Sequence, residues 1–423
     1  MASEEPVQDV PEHVAADELH WGRAASWALY DFANTIYSAL VVSFAATLHL
    51  KALSGLEKPA FLTIAGSMVA CAFFVPIAGE LSDRTDRTKT FLIVLTVLAC
   101  ALVSAMSLTL VLPLLLVLLF VANFCYQAAL PFYDSMLPTV APPKKMGLVS
   151  GIGVGLGYGG VAFALPVAFV VIAWAQRTGM ERELQPVFAL AGVLFLLFSL
   201  PLILFVPAKP AGKRTSGDVD LLRLAARRVL ITLRLLPRHR HVMFFLIGNF
   251  LCVDALNTGI VAASPFMVHA HGIPQQRALL WFIPFTLCAV VLSYLGGRLT
   301  DRYGPKRTMI AAALCIMASV AVAAFSPSFG VFIVTFMVLG GFGLSTTWVA
   351  GRRLLVRLVP EGQVGKYFGL YDVGRKLALF GMIFFAVLAD LLPVDIRVGG
   401  VMWQSLGHRL GLLALVPLLA AGI

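Results

Sequence analysis

Charged residues are scarce in this sequence. Only 13% of its 423 residues are Asp, Glu, Lys or Arg, whereas a soluble domain carries about a quarter, and 59% are hydrophobic. A chain of this composition keeps most of its surface in lipid. Its length allows about 12 spans of ~20 residues joined by short loops. We therefore predict an all-α membrane protein with 12 transmembrane helices.

The sequence also lacks the patterns that mark an enzyme, a metal centre or a nucleotide site. Its six cysteines lie within apolar runs and none forms a Cys-x-x-Cys pair, which favours small core residues. The glycine-rich stretch 151–160 follows no predicted strand and lacks a P-loop lysine, so it favours close helix packing over nucleotide binding. No nucleophile clusters with a base, and no set of metal ligands is present. We expect no enzymatic activity, no cofactor and no bound metal.

Twelve apolar runs define the predicted helices, and a polar segment divides them into two sets of six. The predicted helices lie near residues 25–50, 60–80, 90–110, 113–136, 148–174, 186–206, 242–268, 277–297, 307–326, 329–350, 366–392 and 405–423. The acidic, polar residues 1–22 predict a disordered cytoplasmic tail. The predicted domains are a six-helix bundle over 23–206, a basic linker over 207–241 and a second bundle over 242–423. The last apolar run reaches Ile423 without a polar tail, which suggests a truncated C-terminus.

The distribution of Lys and Arg predicts the orientation in the membrane. With the N-terminus, the linker and the loops between helices 2–3, 4–5, 8–9 and 10–11 on one side, that side holds 23 cations and the other holds 7. Loops on the cytoplasmic side carry the excess of Lys and Arg. The N-terminus is therefore predicted to be cytoplasmic, in an inner or plasma membrane. Because the cations cluster at helix ends and in the linker, the net charge of +10 does not predict a nucleic-acid partner.

The linker carries an amphipathic pattern. Asp220, Arg223, Arg227 and Arg234 fall on one helical face, and apolar residues cover much of the rest. This pattern is typical of a helix that lies on an anionic membrane surface, so membrane lipid is an expected partner. A docking site for another protein is the alternative.

A short motif occurs once in each half of the chain. Gly79-Glu-Leu-Ser-Asp-Arg84 is repeated as Gly297-Arg-Leu-Thr-Asp-Arg302, and each copy lies between two apolar runs. Two related bundles in one chain are typical of transporters, in which the bundles rock about a central site. The glycine lets two helices approach closely, and the Asp-Arg unit can pair with charges or helix ends of the other bundle when the cytoplasmic side is closed. An ordinary positive-inside loop is the alternative. The predicted residues of this cytoplasmic gate are Gly79, Asp83, Arg84, Arg87, Asp134, Gly297, Asp301, Arg302 and Lys306.

Acidic residues also occur inside two predicted membrane helices. Asp31 and Asn34 are three residues apart in helix 1 and share a helical face. Asp254 and Asn257 repeat this spacing in helix 7. An acidic group at membrane depth is costly and usually faces a cavity or a partner. A structural hydrogen-bonding pair between helices is the alternative. Aligning the two motif copies without a gap pairs Asp31 with Asn249, and pairing it with Asp254 requires a five-residue gap.

These residues predict a pathway for substrate and protons between the bundles. Arg375 and Lys376 are cations inside helix 11. They bind an anionic group of the substrate or pair with Asp372 and Asp390. The predicted pathway residues, which include aromatic side chains that either line a cavity or pack within the helices, are Tyr30, Asp31, Asn34, Tyr126, Tyr158, Asp254, Asn257, Trp348 and Arg375.

Several stretches resemble a known transporter family. The motif loops resemble those between helices 2 and 3 and helices 8 and 9 of the major facilitator superfamily, with Asp86 where glycine is usual. Tyr30-Asp-Phe-Ala-Asn-Thr and Tyr367-Phe-Gly-Leu-Tyr-Asp resemble its vacuole effluxer-like branch, which includes the fungal autophagy-related vacuolar amino-acid exporters. Helix 10 differs from that branch, because Gly351-Arg-Arg replaces its Ser-Arg-Ser. The resemblance implies the major facilitator fold of two pseudo-symmetric six-helix bundles, and export of an amino acid or a similar small zwitterion.

We therefore predict a secondary active transporter that works by alternating access as a monomer. Protons are the predicted coupling ion, because desolvated aspartates titrate closer to neutral pH. A transporter of a small peptide, sugar or organic anion is one alternative. A membrane receptor or scaffold that does not transport is another, and the two intact motif copies argue against it, since a receptor need not keep both.

Overall fold

The structure is a computed structural model, and it describes residues 18–56, 58–180, 183–208, 218–326, 328–360, 362–378, 380–392, 396–398, 401–403 and 406–423. Within these ranges ten helices are long and apolar enough to cross a membrane. They are α1 Trp21–Ser54, α2 Lys58–Thr85, α3 Thr88–Leu108, α4 Leu112–Ser135, α5 Pro143–Arg177, α6 Gln185–Phe205, α7 Arg240–His271, α8 Phe282–Tyr303, α9 Pro305–Phe325 and α10 Phe329–Leu358. Most of the predicted tail lies outside the described residues.

The last two predicted spans differ from the expectation of continuous helices. The eleventh span consists of two helices, α11 Val364–Leu377 and α12 Phe380–Leu391, and the twelfth is the shorter helix α13 Leu406–Gly422. A small antiparallel hairpin, β1 Ile396–Val398 and β2 Val401–Trp403, lies between α12 and α13. The break after α11 leaves the first amide groups of α12 without helical acceptors. The N–H of Gly381 instead donates to Oδ2 of Asp254 on α7, at 2.7 Å.

The helices pack as two bundles. In the first, α1 packs on α5 and α6, and α4 packs on α2 and α3. In the second, α10 packs on α8 and α9, and α7 packs on α12 and α13. Between the bundles, α5 packs along α8 and α2 packs along α11. Several helices extend beyond the predicted apolar runs, because the polar motif residues at their ends remain helical. As a result Arg352 and Arg353, which the charge count places in a loop, lie inside α10.

The linker contains a helix, Asp218–Leu235, which we call the linker helix. It packs against α2, with Ala225 and Val229 buried. Arg223, Arg227 and Arg234 remain exposed. The amphipathic helix predicted from the sequence is therefore present, and its basic face is free to meet a membrane surface or a partner.

The two motif turns share a positive φ at the position that departs from the family pattern. Gly304 has a φ of 87° at the turn of the second copy, and Asp86 has a φ of 49° at the equivalent position of the first. Aspartate is one of the few residues other than glycine that adopts a left-handed conformation readily. Asp86 therefore accommodates the positive φ, but the two turns differ. Gly304 has a ψ of 152°, outside the left-handed helical region, and is the single residue between α8 and α9, whereas Asp86 and Arg87 lie between α2 and α3.

Candidate functional site

The two motif aspartates make equivalent contacts between the bundles. We call the side of the molecule that holds the motif loops and the linker the linker side. Both carboxylate oxygens of Asp83 accept hydrogen bonds from the first turn of α11, from the N–H groups of Gly365 and Lys366 at 2.8 Å each. Asp301 accepts from Gly147 and Leu148 in the first turn of the α-helical part of α5, at 2.9 and 2.7 Å. A carboxylate at a helix N-terminus satisfies free amides and the helix dipole.

The contacts follow an internal two-fold repeat. Residues 79 and 297, 83 and 301, 147 and 365, and 148 and 366 each differ by 218 positions. The motif glycines allow the close approach that these contacts require. A Cβ on Gly297 would lie 2.5 Å from the carbonyl oxygen of Gly147. Likewise, a Cβ on Gly79 would overlap the carbonyl oxygen of Gly365. The two bundles are therefore closed against each other on the linker side.

The predicted gate arginines do not cross between the bundles. The Nε of Arg84 lies 3.1 Å from Glu80 in its own helix, and the guanidinium of Arg302 lies over the ring of its neighbour Tyr303. Arg87 and Lys306 are exposed. The expectation that each Asp-Arg unit pairs across the bundles is thus correct for the aspartates and wrong for Arg84 and Arg302. Both arginines contact residues of their own helix instead of the opposite bundle.

Two other cations take part instead. Arg353 forms an ion pair with Asp301 inside the second bundle. Lys366 crosses between the bundles, with its Nζ 3.4 Å from Oε2 of Glu80. The other oxygen of Glu80, Oε1, lies 3.7 Å from Nη1 of Arg228 of the linker helix. The linker helix therefore contacts the gate through one buried carboxylate.

A chain of buried charges lies deeper between the bundles. Nη1 of Arg352 donates to Oδ2 of Asp31 at 3.0 Å, and its Nε lies 2.8 Å from Oδ1 of Asp134. Nη1 of Arg375 donates to the other oxygen of Asp134 at 3.1 Å. The two aspartates belong to the first bundle and the two arginines to the second. We call these four residues the charge network.

Aromatic rings enclose the charge network. The guanidinium of Arg352 lies over the rings of Trp27 and Tyr133, at 5.8 and 5.4 Å from their centroids. These two rings stack on each other, and the indole N–H of Trp27 donates to the carbonyl of Tyr133 at 3.0 Å. Arg375 lies 4.5 Å over the ring of Trp348. Such faces attract a cation and exclude water from the ion pairs.

Some predicted pathway residues join the charge network. Asn34 donates to Asp31 at 3.0 Å, as their spacing predicts, and the hydroxyl of Tyr126 donates to Asn34 at 3.2 Å. Tyr158, which belongs to the first bundle, packs against the hydrophobic core of the second bundle. Tyr30 instead faces α3, where its hydroxyl lies 2.7 Å from that of Thr96.

The predicted equivalence of Asp31 and Asp254 is not reflected in their contacts. Asp31 belongs to the charge network, whereas Asp254 contacts the break between α11 and α12. Asn257 is half-buried on the same helix as Asp254.

The predicted pairing of Arg375 and Lys376 with Asp372 and Asp390 holds for Lys376 and Asp372 but not for Arg375, and the sequence did not indicate the role of Arg352. Arg375 binds Asp134 rather than Asp372 or Asp390, and Lys376 forms the ion pair with Asp372 one turn away. The feature that could have indicated a role for Arg352 is its position inside α10, six residues before the end of the helix. A charge at that depth is costly unless it is paired.

Comparisons with known proteins match this architecture. The family model described as "Vacuole effluxer Atg22 like" matches residues 57–402. The uncharacterized MFS-type transporter YxiO of Bacillus subtilis is 28% identical over 386 residues, which cover 86% of this chain and 88% of that protein. Among solved structures, the E. coli fucose:proton symporter FucP has a TM-score of 0.67 at 15% identity. The match covers 94% of this chain and 96% of the FucP chain. The human organic anion transporter MFSD10 has a TM-score of 0.68 at 14% identity, with coverage of 97% and 99%. These matches confirm the predicted fold.

Proposed function

This chain belongs to the Atg22-like vacuole effluxer family of major facilitator transporters, and from that membership we propose that it exports an amino acid or a similar small zwitterion by proton-coupled alternating access. The observation that carries the proposal is the charge network. It brings two carboxylates and two guanidinium groups together between the bundles, all buried except the half-buried Arg375, with equal numbers of each sign.

A zwitterion is the solute class that this arrangement accommodates best. Buried charges are tolerated only when they are paired. A solute with one ammonium and one carboxylate can separate Asp31 from Arg352 and replace each lost partner with its own group. The net charge of the site then stays unchanged. A neutral sugar replaces neither partner and would leave both charges unpaired.

The closed linker side fits one state of an alternating-access cycle. Opening that side requires loss of the contacts of Asp83 and Asp301, and separation of Arg352 from Asp31 and Asp134. We propose that the linker side faces the cytoplasm, as the Lys and Arg distribution predicts. Export then begins when the gate opens and a cytoplasmic solute enters between the bundles.

Proton coupling is proposed for the same carboxylates. Protonation of Asp31 removes its charge, so Arg352 keeps only Asp134 as an anionic partner in the charge network. The bundles can then separate without leaving an unpaired aspartate. The effluxer description of the family supports the outward direction of transport.

An organic anion is a second candidate for the solute. The guanidinium of Arg375 is half-buried between Asp134 and the ring of Trp348, which is the kind of surface that receives an aromatic carboxylate. Such a solute would take the place of one aspartate as the partner of Arg375.

Counterflow in proteoliposomes distinguishes these candidates, because exchange needs no ion gradient. Vesicles loaded with one unlabelled solute are tested for uptake of the labelled form, with amino acids, dipeptides, sugars and aromatic carboxylates in parallel. We expect amino acids to exchange, Arg352→Ala to abolish exchange, and Arg357→Ala, an exposed arginine on the same helix, to leave it intact. Exchange of sugars alone would refute the proposal, and exchange of aromatic carboxylates alone would favour the second candidate.

A further inference from the structure

The internal repeat relates Asp31, Tyr133 and Gly153 of the first bundle to Asn249, Gly351 and Tyr371 of the second, each 218 positions later. In the first bundle, Oδ2 of Asp31 and the hydroxyl of Tyr133 both lie 3.2 Å from where a Cβ on Gly153 would stand. In the second bundle Gly351 stands at the position of Tyr133 and Tyr371 at the position of Gly153, so the tyrosine and the glycine have exchanged helices.

The exchange preserves the local arrangement. The Tyr371 hydroxyl lies 2.7 Å, and Oδ1 of Asn249 3.5 Å, from where a Cβ on Gly351 would stand. Each bundle therefore places an oxygen acceptor from its first helix beside a phenol, over a glycine that leaves space for both. The acceptor is a carboxylate in one bundle and a neutral amide in the other.

The two polar atoms of the second bundle lack partners. Asn249 and Tyr371 are each 1% exposed, and among the described residues neither Oδ1 of Asn249 nor the Tyr371 hydroxyl has a hydrogen-bond partner. Buried polar groups in proteins are almost always hydrogen-bonded. In the first bundle Arg352 satisfies Asp31, whereas the Tyr133 hydroxyl likewise has no hydrogen-bond partner among the described residues. The equivalent place in the second bundle calls for a neutral group that both donates and accepts.

The place is within reach of the charge network. Gly351 directly precedes Arg352, and the guanidinium of Arg375 lies 5.8 Å over the ring of Tyr371. Asn249 also lies on the wall of a cavity of about 360 Å³, together with Phe245 and Cys252. The cavity leaves space next to Asn249, although neither arginine of the charge network lines it.

We propose that Asn249 and Tyr371 form a neutral subsite that receives a hydroxyl or carboxamide on the side chain of the transported amino acid. The solute group donates to Oδ1 of Asn249 and accepts from the hydroxyl of Tyr371. This subsite makes the transporter prefer polar amino acids over aliphatic ones of the same size. The inference rests on the proposed amino-acid transport and specifies its substrate class.

The test compares amino acids that differ by one hydroxyl group. Counterflow of L-serine against L-alanine, and of L-threonine against L-valine, is measured for the wild type, Tyr371→Phe and Asn249→Leu. The control is Tyr37→Phe, which removes a buried hydroxyl that also has no partner in the described structure, but from the first bundle. Melting temperatures establish that each variant folds, and the single-atom change Tyr371→Phe remains informative if Asn249→Leu does not.

We expect the wild type to prefer serine and threonine, and Tyr371→Phe to lower that preference about 3- to 10-fold, the value of one hydrogen bond. Transport of alanine and valine should be unchanged, and Tyr37→Phe should match the wild type. A wild type that exchanges all four equally, or a preference that survives both subsite variants, overturns the subsite while leaving the transport function in place. If the wild type exchanges no amino acid, the proposed function fails and the subsite fails with it.

Discussion

Asp134 and Arg352 occupy equivalent positions of the two halves of the chain and bind each other, with Oδ1 of the aspartate 2.8 Å from Nε of the arginine. Two positions related by a two-fold repeat can touch only where they lie near its axis. This ion pair therefore lies between the bundles near the axis of the repeat, and its outer partners are Asp31 and Arg375.

Loss of Arg352 should be severe. Arg352→Ala leaves Asp31 without its guanidinium partner and Asp134 with Arg375 alone, and an uncompensated buried charge costs about 3–5 kcal/mol. We expect a clear fall in the melting temperature measured by intrinsic fluorescence, together with loss of transport. The exposed Arg357→Ala should match the wild type.

A charge swap tests whether the ion pair acts alone. In the double variant Asp134→Arg, Arg352→Asp, the new arginine would face Arg375 and the new aspartate would face Asp31. Like charges would then be brought together at both ends of the network. We expect the swap to fail to restore stability, and a full recovery would show that Asp134 and Arg352 form an isolated pair.

Neutralising a motif aspartate should open the linker side. Asp83→Asn replaces a charged acceptor of two amides by a neutral one, which weakens closure by about 1.5 kcal/mol, or roughly tenfold in the equilibrium. The measurement is thiol labelling at Ser135→Cys, in a background without the native cysteines, because Ser135 is buried and lines the cleft beside Asp83. Asp301→Asn should act in the same direction.

The matched control lies three residues away. Asp86→Asn changes the same charge in the same loop, and asparagine tolerates the left-handed backbone of that position. Its labelling rate should equal that of the wild type. Equal labelling of Asp83→Asn and the wild type would reduce the motif aspartate to a topology signal.

The glycine-rich helix α5 should respond to alanine according to position. A Cβ on Gly151 would lie 2.5 Å from the carbonyl oxygen of Ser293 on α8, whereas a Cβ on Gly159 meets nothing within 4 Å. Gly151→Ala should push α5 away from α8 and impair transport. Gly159→Ala should be neutral or stabilise the helix by up to about 1 kcal/mol. Counterflow and melting temperature of the two variants check this, and equal effects would contradict the packing argument.

The gate was predictable from the sequence because its parts are repeated. Asp83 and Asp301 lie in two copies of one motif, and a carboxylate beside a helix end has few other partners. The partners of Arg352 were not predictable in the same way. Asp31 is 321 residues away in the other bundle, and two consecutive arginines near a helix end look like loop residues. Only the packing of α10 between the bundles shows that Arg352 points inward while Arg353 serves the gate.

The directions in which the side chains of one helix point could not be predicted from the sequence either. Tyr30 and Asp31 are neighbours, yet one faces Thr96 and the other faces Arg352, since adjacent helical residues point about 100° apart. Sequence spacing indicated that Asp31 and Asn34 share a face, and they do. It did not indicate which face meets the other bundle. The break after α11, which brings Gly381 to Asp254, carries no proline that would have marked it.

The linker helix should bind anionic membranes through its basic face. Arg223, Arg227 and Arg234 are exposed, and each cation near such a surface contributes about 1 kcal/mol. Replacing all three by alanine should expose the linker to protease in nanodiscs that contain anionic lipid, while transport persists. In nanodiscs of neutral lipid the variant and the wild type should be cleaved alike. Unchanged protection in anionic nanodiscs would contradict the surface-helix prediction.

The last prediction concerns proton coupling and separates the two membrane aspartates. Asp31→Asn mimics the protonated carboxyl, keeps the hydrogen-bonding shape toward Asn34, and leaves Arg352 bound to Asp134. We expect this variant to exchange substrate in counterflow more slowly than the wild type, because the solute's ammonium group loses its charged partner, and to lose accumulation driven by an imposed pH gradient. A site that is permanently neutral can still cycle with solute, yet it has no proton to exchange.

Asp254→Asn provides the comparison. Its side-chain oxygen can still accept the N–H of Gly381, so the start of α12 stays capped and the fold should persist. If Asp254 only supports that break, its variant should accumulate substrate like the wild type, whereas a second coupling site would lose the gradient response as well. The measurement is uptake into proteoliposomes with and without a pH gradient for both variants and the double variant. Undiminished accumulation by all three would exclude both aspartates as the coupling site and direct attention to Asp134, whose carboxylate binds both arginines of the charge network.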